Sequence, residues 1–245
     1  MEAIGVIPAR LESQRLSRKL LRRVFGKSII QWTWENAKRA HLLDRLIVAC
    51  DSSEIVDTVK EFGGEAVLTS LDHRSGSDRI AEAVRDIDVR IIVNIQADEP
   101  LIHPSVIDSL VACMIDNSSI LMTTVKKKID DEDEINNTSI VKVVTDKDNF
   151  ALYFSRFPIP FLREKSKDVV YYKHLGIYAY TKDFLFTFKN LPFSYLEECE
   201  RLEQLRALEA GYRIKVIETK FDSWGVDTEE DLRKVESILS QRGYA

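Results

Sequence analysis

The residues Ala3-Ile4-Gly5-Val6-Ile7-Pro8-Ala9 form a short apolar stretch that leads directly into the polar segment Arg10-Leu11-Glu12-Ser13-Gln14-Arg15-Leu16-Ser17-Arg18-Lys19. The apolar stretch has the length and character of a buried strand. Between Arg10 and Lys27 there are five arginines and two lysines against one acid, Glu12, although the whole chain carries a formal charge of −5. Because open α/β sheets bind ligands at the carboxyl ends of their strands, these cations predict a pocket for an anion, with phosphate the leading candidate. A solvated basic face is the alternative interpretation.

Apolar strands and amphipathic helices alternate through the first half of the chain, which is typical of a mostly parallel sheet with helices on both faces. We expect strands at 3–9, 45–50, 65–69, 90–96 and 120–125. Helices are expected from 28 to about 42, after the possible capping box 51–54, and over 104–116. The second half predicts strands at 140–145, 151–156, 173–181 and 213–218, a long helix over 195–210, and a closing helix capped by Asp227 or Thr228.

Length and composition limit the class of protein. With 245 residues, 44% hydrophobic and 31% charged, the chain suits one large soluble α/β domain, or one domain with a smaller insert. The start of the chain enters a strand at once and lacks the basic and apolar regions of a signal peptide, and no stretch is long and apolar enough to span a bilayer. The acidic net charge argues against a general nucleic-acid-binding protein.

The three cysteines, Cys50, Cys113 and Cys199, are widely spaced and show no metal-ligand pattern. This usage predicts buried thiols of a cytoplasmic protein. The four histidines are equally scattered, so the sequence gives little support to a histidine-based metal centre.

A second candidate loop follows the third expected strand. It contains His73-Arg74-Ser75-Gly76-Ser77-Asp78-Arg79 and enters a helix. A glycine between two serines exposes backbone N–H groups that can hold a phosphate or a base edge, and a helix N-cap without a ligand is the alternative. Arg79 in the first turn opposes the helix dipole, which indicates that its charge serves another partner.

Acidic side chains follow the most apolar strand. Asp98 and Glu99 stand just past its carboxyl end, on the side where Arg10 should emerge. Carboxylates beside a phosphate site suit Mg²⁺, which binds through one or two carboxylates plus substrate oxygens, whereas a capped turn before Pro100 is the alternative. Asp227 is likewise either a helix N-cap or a second metal ligand. The lysines and acids between 126 and 137 predict a solvated turn with a short surface helix, with metal binding as the alternative.

Aromatic residues concentrate between Tyr153 and Tyr180. Such a cluster is usually part of a core or of a dimer face. Two-residue alternation places His174 and Tyr178 on the same face of their strand.

Taken together, these motifs resemble the CMP-Kdo synthetase family, the cytidylyltransferases of 3-deoxy-manno-octulosonate (Kdo). The resemblance covers nearly the whole chain and keeps the family's order. Its motifs are Ile7-Pro8-Ala9-Arg10 with Arg15 and Lys19, the segment 73–79, Val93-Asn94-Ile95-Gln96-Ala97-Asp98-Glu99-Pro100, Ala151-Leu152-Tyr153-Phe154-Ser155-Arg156 with Pro158-Ile159-Pro160, His174-Leu175-Gly176-Ile177-Tyr178, Leu202-Glu203-Gln204-Leu205-Arg206, and Gly225-Val226-Asp227-Thr228 with Glu230-Asp231-Leu232.

The resemblance implies a nucleotide-diphospho-sugar transferase-like mixed α/β sheet with helices on both faces and a β-rich extension for dimerisation and sugar binding. It implies one domain over 1–245, with a nucleotide-binding half in 1–125 and a sugar-binding and dimerisation half in 126–245. The implied enzyme is a cytoplasmic homodimer that transfers CMP from CTP to Kdo for lipopolysaccharide biosynthesis, with Mg²⁺ as cofactor.

The resemblance also implies roles for individual residues. Catalysis falls to Arg10, Lys19, Asp98 and Asp227, of which the two aspartates hold Mg²⁺. The nucleotide would contact Pro8, Ala9, Arg10, Lys19, His73, Ser75, Arg79 and Gln96. The acidic sugar would face Arg15, Gln96, Arg156, His174, Tyr178, Glu203 and Gln204.

Four positions depart from the family's usual sequence. Ser17 and Arg18 replace proline and glycine, Ala97 replaces glycine, and Trp224 replaces a small residue.

Two alternatives to transfer of CMP to Kdo remain. One is a cytidylyltransferase for 8-amino-3,8-dideoxy-manno-octulosonate or another acidic sugar, and the other, from a different class, is a nucleotide-binding protein without turnover. A nucleic-acid-binding module that uses the cations between Arg18 and Lys27 is a third hypothesis.

Overall fold

The computed structural model describes residues 1–13, 15–73, 75–164 and 169–244. Its strands are β1 (Ala3–Ala9), β2 (Arg23–Val24), β3 (Lys27–Ser28), β4 (Arg45–Cys50), β5 (Glu65–Leu68), β6 (Ile91–Asn94), β7 (Met122–Lys128), β8 (Lys142–Thr145), β9 (Ala151–Ser155), β10 (Tyr172–Thr181) and β11 (Lys215–Glu218). Its α-helices are α1 (Ile29–Ala37), α2 (Ser53–Glu61), α3 (Gly76–Ala83), α4 (Pro104–Asp116), α5 (Glu132–Asn136), α6 (Lys182–Lys189), α7 (Tyr195–Glu200), α8 (Gln204–Glu209) and α9 (Glu229–Gln241), and Lys19–Leu21 form a 3₁₀ turn.

The main sheet has the strand order β11-β7-β10-β6-β1-β4-β5, with β8 and β9 added beside β10. Strands β6, β1, β4 and β5 are parallel, whereas β10 is antiparallel to both β6 and β7. The carboxyl ends of β1, β4, β5 and β6 therefore meet at one edge of the sheet. This is the predicted mixed α/β architecture, in which ligands bind at that edge.

The alternation of side chains along β1 divides the core into two layers. Ile7 packs on the face covered by α1, α2 and α4, whereas Ile4 and Val6 pack on the face covered by α3, α6 and α8. A Cβ on Gly5 would lie 2.8 Å from methyl groups of Leu43 and Leu46, so a larger residue there would require these leucine side chains to shift. Strand β1 is thus buried on both sides, which confirms its predicted place at the centre of the sheet.

A third apolar cluster brings the two ends of the chain together. Leu16 from the cationic loop packs with Trp32 of α1 and with Val226, Leu232 and Val235 around α9. Burial of these side chains fixes the closing helix against the loop that follows β1. No helix of the described chain is long and apolar enough to cross a membrane.

Several local predictions are wrong at their boundaries. Helix α1 begins after its predicted cap Ser28 but ends at Ala37, not near residue 42. The predicted helix over 195–210 is two short helices, separated at Arg201, which has a left-handed φ of 54°.

Three predictions about local environment are also wrong. The lysines 126–128 are the last residues of β7, and Lys126 is buried, so these lysines do not form a solvated turn. The described contacts do not include the predicted capping box between Asp51 and Glu54. Instead, the Ser52 side chain caps α2 by accepting a hydrogen bond from the Glu54 N–H. Of the thiols, only Cys50 is buried, while Cys113 is half-buried and Cys199 exposed.

Candidate active site

A cavity of about 290 Å³ opens at the carboxyl ends of β1 and β6 and the start of α3. Four cationic side chains and three carboxylates line it, so its charge pattern suits an anion together with a cation. The lining residues are Pro8, Ala9, Arg10, Glu12, Ser13, Arg15, Lys19, Leu20, His73, Ser75, Gly76, Arg79, Gln96, Ala97, Asp98 and Asp227. The sequence prediction that the amino-terminal cations and the two distant aspartates converge is confirmed.

Lys19 is the centre of the site. Its Nζ lies 2.6 Å from Asp98 Oδ2 and 2.8 Å from Asp227 Oδ1. Burial acts to lower the pKa of Lys19, but the two carboxylates outweigh it, so the pKa is raised above its ordinary value. The 3₁₀ turn that carries Lys19 is anchored by its neighbour Leu20, which is buried in the core. A charged ammonium is therefore held between two carboxylates that lie far apart in the sequence.

Two arginines surround this group. Arg15 Nη2 donates to Asp227 Oδ2 at 2.6 Å, but the Arg15 side chain is 66% exposed and solvent weakens the pair. Arg10 is exposed at the end of β1 and makes no ion pair with the described residues. Arg10 is thus the cation of the cavity that is most available to an incoming anion.

Residues at the start of α9 hold Asp227, which lies just before this helix, in position. The N-cap of α9 is Thr228, and Asp231 accepts hydrogen bonds from the N–H groups of both Asp227 and Thr228. The Val226 N–H donates to the Asp98 carbonyl at 2.9 Å, which joins the two acidic loops directly. Asp227 is therefore outside the helix cap, and its carboxylate is directed into the cavity.

The donor set fits a magnesium ion. Asp98 and Asp227 share one ammonium, which marks the space between them as a cation position, and two carboxylates plus phosphate oxygens are the ligands Mg²⁺ prefers. Within 1–13, 15–73, 75–164 and 169–244, no three His, Cys, Asp or Glu side chains form a cluster that could hold a metal. A metal at this site would thus depend on oxygens from the substrate.

The loop before α3 forms the opposite wall of the cavity. Ser75 caps α3 by accepting from the Asp78 N–H at 3.1 Å, and a Cβ on Gly76 would lie 3.3 Å from Pro8 Cγ. The absence of a side chain at Gly76 therefore lets the helix start approach the end of β1. The His73 ring hydrogen-bonds to Glu82 and lowers the pKa of that carboxyl. Arg74 lies outside the described residues.

Arg79 lines the cavity, but its guanidinium is committed to the protein. It donates to Thr69 Oγ1 at 2.6 Å and to the Ser70 carbonyl at 3.2 Å, and it lies 3.4 Å from Asp51 Oδ2. Asp51 also accepts from the Leu11 N–H at 2.9 Å. Arg79 and Asp51 thus join the loops after β1, β4 and β5, which explains the cation in the first turn of α3.

The residues predicted for the sugar form a group beside the cavity, along β10. Gln96 lines the cavity and donates to the Gly176 carbonyl at 3.2 Å. His174 and Tyr178 share a face, with ring centroids 5.4 Å apart. Burial lowers the pKa of His174 to about 3 and raises the pKa of Tyr178. This group is therefore neutral at pH 7.

The other residues predicted to contact the sugar are Glu203, Gln204 and Arg156, and the protein holds each of them in a different way. Ser77, next to Gly76, donates to Glu203 at 3.1 Å, and burial raises the pKa of Glu203. The Gln204 side chain is buried, and its Nε2 has no hydrogen-bond partner among the described residues. Arg156 does not line the cavity, since its side chain donates to the carbonyls of Glu200 and Thr138. Contacts of these residues with a sugar stay predictions.

Sequence reasoning missed the residues that hold the two aspartates in place. The sequence does not single out Ser223, it includes Asp231 only as part of the closing family motif, and it predicts for Glu99 a metal ligand or part of a capped turn. Glu99 accepts from the Ser223 hydroxyl at 2.7 Å, and burial raises the pKa of Glu99 to about 7. For Ser223, the sequence signal that could have indicated this role is the polar character of the segment before α9.

Comparison with known proteins places this geometry among related enzymes. Residues 4–216 match the sequence profile of the cytidylyltransferase family. The 3-deoxy-manno-octulosonate cytidylyltransferase of Solibacter usitatus is 48% identical over 96% of this chain and 94% of its own length. The enzyme of the same name from Syntrophotalea carbinolica is 48% identical over 98% of this chain and 99% of its own length.

Solved structures agree with these relatives. A CMP:2-keto-3-deoxy-manno-octonic acid synthetase complexed with CTP superposes with a TM-score of 0.94 at 39% identity, over 99% of this chain and all of its own. A cytidylyltransferase from Leptospira borgpetersenii shares the fold alone, with a TM-score of 0.67 at 17% identity, over 98% of this chain and 87% of its own.

Proposed function

The chain belongs to the cytidylyltransferase family, among the 3-deoxy-manno-octulosonate cytidylyltransferases, and we propose that it transfers CMP from CTP to Kdo. The products are CMP-Kdo, the activated sugar for lipopolysaccharide biosynthesis, and pyrophosphate. One observation carries the proposal: Lys19, Asp98 and Asp227 meet in a cation-lined cavity at the carboxyl ends of β1 and β6. That is where this class of sheet binds nucleotides.

The reaction needs positioning and charge stabilisation more than covalent chemistry. A hydroxyl oxygen of the sugar bonds to the α-phosphorus, the bond from the α-phosphorus to the α,β-bridging oxygen breaks, pyrophosphate leaves with that electron pair, and the hydroxyl proton passes to solvent. Negative charge grows on the phosphate oxygens during this step, so fixed cations lower its barrier. Arg10 and Lys19 would hold the triphosphate. Asp98 and Asp227 raise the pKa of Lys19, so its ammonium is charged before the triphosphate binds.

Asp98 and Asp227 would hold Mg²⁺ when it is bound. The ion supplies positive charge that lowers the pKa of the attacking hydroxyl and stabilises the leaving pyrophosphate. The protein's own contribution is to keep the two carboxylates in place and directed into the cavity. The hydrogen bond between Val226 and Asp98 and the Asp231 contacts to the α9 start do this.

The sugar would lie between the cavity and β10. Arg15 can hold the sugar carboxylate with two parallel hydrogen bonds, and Gln96, Tyr178 and His174 can contact its hydroxyls. The half-buried, neutral ring of His174 favours an uncharged sugar group there. A protonated amine would meet Glu203 more favourably than a hydroxyl would, so the 8-amino analogue is the second candidate substrate.

A homodimer in the cytoplasm completes the proposal. Large apolar side chains are exposed around β9 and the segment after it, where Phe157 is 73% and Phe161 is 87% exposed. Exposed aromatic side chains of this kind are typical of a protein interface. A second copy of the chain is the partner that we propose for this surface.

The function is tested by pyrophosphate release from CTP with Kdo, 8-amino-Kdo or no sugar, combined with mass detection of the CMP-sugar. We expect release only with an octulosonate, fastest with Kdo, and dependent on Mg²⁺. Tight CTP binding without any CMP-sugar would support the non-catalytic alternative and contradict the proposal. Steeply salt-dependent oligonucleotide binding would instead favour a nucleic-acid-binding module.

A further inference from the structure

The segment between β11 and α9, residues 219–228, carries Asp227 across the edge of the sheet. It begins with the Thr219 N–H donating to the Lys126 carbonyl, which extends the β11–β7 pairing. It ends at the capping box of Thr228. Between these points the segment has no regular secondary structure, so side-chain contacts decide where Asp227 lies.

Asp222 provides the first fixed point. Its Oδ2 lies 3.0 Å from Lys173 Nζ and 3.6 Å from Lys127 Nζ, on β10 and β7. Lys173 is largely buried and also binds Glu134 of α5. Since a largely buried ion pair is screened little by solvent, this contact fastens the segment to two strands of the sheet.

Ser223 provides the second fixed point, closer to the site. Its hydroxyl donates to Glu99 Oε2 at 2.7 Å, and Glu99 directly follows Asp98. Three residues further on, the buried Val226 donates its N–H to the Asp98 carbonyl at 2.9 Å. The loop of Asp98 and the segment of Asp227 are therefore joined by one side-chain and one backbone hydrogen bond.

We propose that Ser223 is a positioning residue, which acts through Glu99 to hold Asp227 opposite Asp98. This inference rests on the proposed function, because it assigns the two aspartates to one Mg²⁺ site. Ser223 does not line the cavity, so its effect on the two aspartates is carried by its hydrogen bond to Glu99 and by the segment 219–228. Groups that hydrogen-bond directly to a metal ligand typically change metal affinity about 10- to 100-fold when removed, and Ser223 acts through the neighbour of a ligand, so the lower end of this range is expected.

The test compares the wild type with Ser223→Ala and with Ser223→Thr, which keeps the hydroxyl. The matched control is Ser155→Ala, because the Ser155 hydroxyl also donates to a glutamate, Glu200, at 2.6 Å, away from the cavity. The first readout is hydrogen exchange of the Val226 amide without metal. The second is Mn²⁺ affinity, measured by electron paramagnetic resonance in the presence of CTP.

We expect Ser223→Ala to exchange the Val226 amide about 10-fold faster and to bind Mn²⁺ about 10-fold more weakly. Ser223→Thr should restore both values, and Ser155→Ala should change neither. Val226 exchange and Mn²⁺ affinity within two-fold of the wild type in Ser223→Ala would overturn the inference. If the wild type bound no Mn²⁺ with CTP, the metal part of the proposed function would fail, while the exchange measurement would still decide the role of Ser223.

Discussion

Among single residues, His174 is expected to contribute to the response to acid. Burial lowers its pKa to about 3, and its Nε2 lies 3.0 Å from Thr124 Oγ1. In the unfolded chain the imidazole titrates near its ordinary value, about 6.5. The neutral ring therefore contributes stability that is complete above about pH 6.5 and is lost as the pH falls toward 3, because the unfolded state takes up the proton first.

We predict that His174→Asn removes this part of the pH dependence. The slope that is lost should approach about 1.4 kcal/mol per pH unit, because about one proton is bound on unfolding. Free energies of unfolding from urea titrations between pH 7.5 and 4.5 measure it. The exposed His41, changed to Asn, is the control. Parallel pH curves for the wild type and His174→Asn would contradict the assignment.

The convergence of the candidate site residues in one cavity was the part of the molecule most readily predicted from sequence. Arg10, Lys19, Asp98 and Asp227 are polar residues at strand ends or helix starts, and the family motifs preserve their order. What could not be predicted is which groups hold one another. Arg79 illustrates this. Its guanidinium pairs with Asp51 and donates a hydrogen bond to Thr69, and these residues come from loops that are distant in the sequence but meet in the folded protein.

Arg18 shows the same limit at a position where the family usually has glycine. It adopts a left-handed conformation with φ of 53°, which costs a non-glycine residue about 1 kcal/mol. Its guanidinium forms an ion pair with Glu54 at the start of α2. Arg18 therefore adopts a conformation that glycine would adopt without strain.

At the scale of elements, the helix pair α7 and α8 depends on one buried ion pair. Arg206 Nε donates to Glu197 Oε2 at 2.7 Å, and the two side chains are only 8% and 10% exposed. The strongest effect on the pKa of Arg206 is the hydrogen bond to Glu197, which raises it. Removal of one partner would leave a buried, uncompensated charge.

We predict that Glu197→Gln destabilises the protein by about 3 kcal/mol, measured by urea unfolding at pH 7.5. Glutamine can still take part in the α7 capping box, so the loss reports the ion pair rather than the cap. The double variant Glu197→Gln with Arg206→Met should recover most of the stability, because the unpaired guanidinium is no longer buried. A loss below 1 kcal/mol in the single variant would contradict this account.

Sequence periodicity predicted most helices and strands, but not the positions at which tertiary contacts interrupt them. Strand β4 and helix α4 have the predicted bounds because their apolar pattern coincides with the packing faces. The helix predicted over 195–210 breaks at Arg201, where Leu202 turns into the core and Glu203 approaches Ser77. A local sequence pattern cannot predict such a contact, because the partner Ser77 comes from α3, more than a hundred residues away in the sequence.

At the scale of the whole molecule, the exposed aromatic surface after β9 predicts the oligomeric state. Replacement of Phe157 and Phe161 by aspartate should convert a dimer into a monomer, since charge would be buried in an apolar interface. Sedimentation velocity measures the change. Leu68→Asp, at an exposed position of β5, is the control. A wild type that sediments as a monomer, or a double variant that stays dimeric, would contradict the proposed interface.

The central claim is that Asp98 and Asp227 act as one metal site with Lys19 beside them. The most direct measurement is turnover of CTP and Kdo by Asp98→Asn and Asp227→Asn, with Glu132→Gln in the acidic run of α5 as the control. Circular dichroism would check the fold of each variant. We predict a fall in kcat of about 100- to 1,000-fold or more for each aspartate variant with the fold intact, and no change for the control. Wild-type turnover by either folded aspartate variant would contradict the claim.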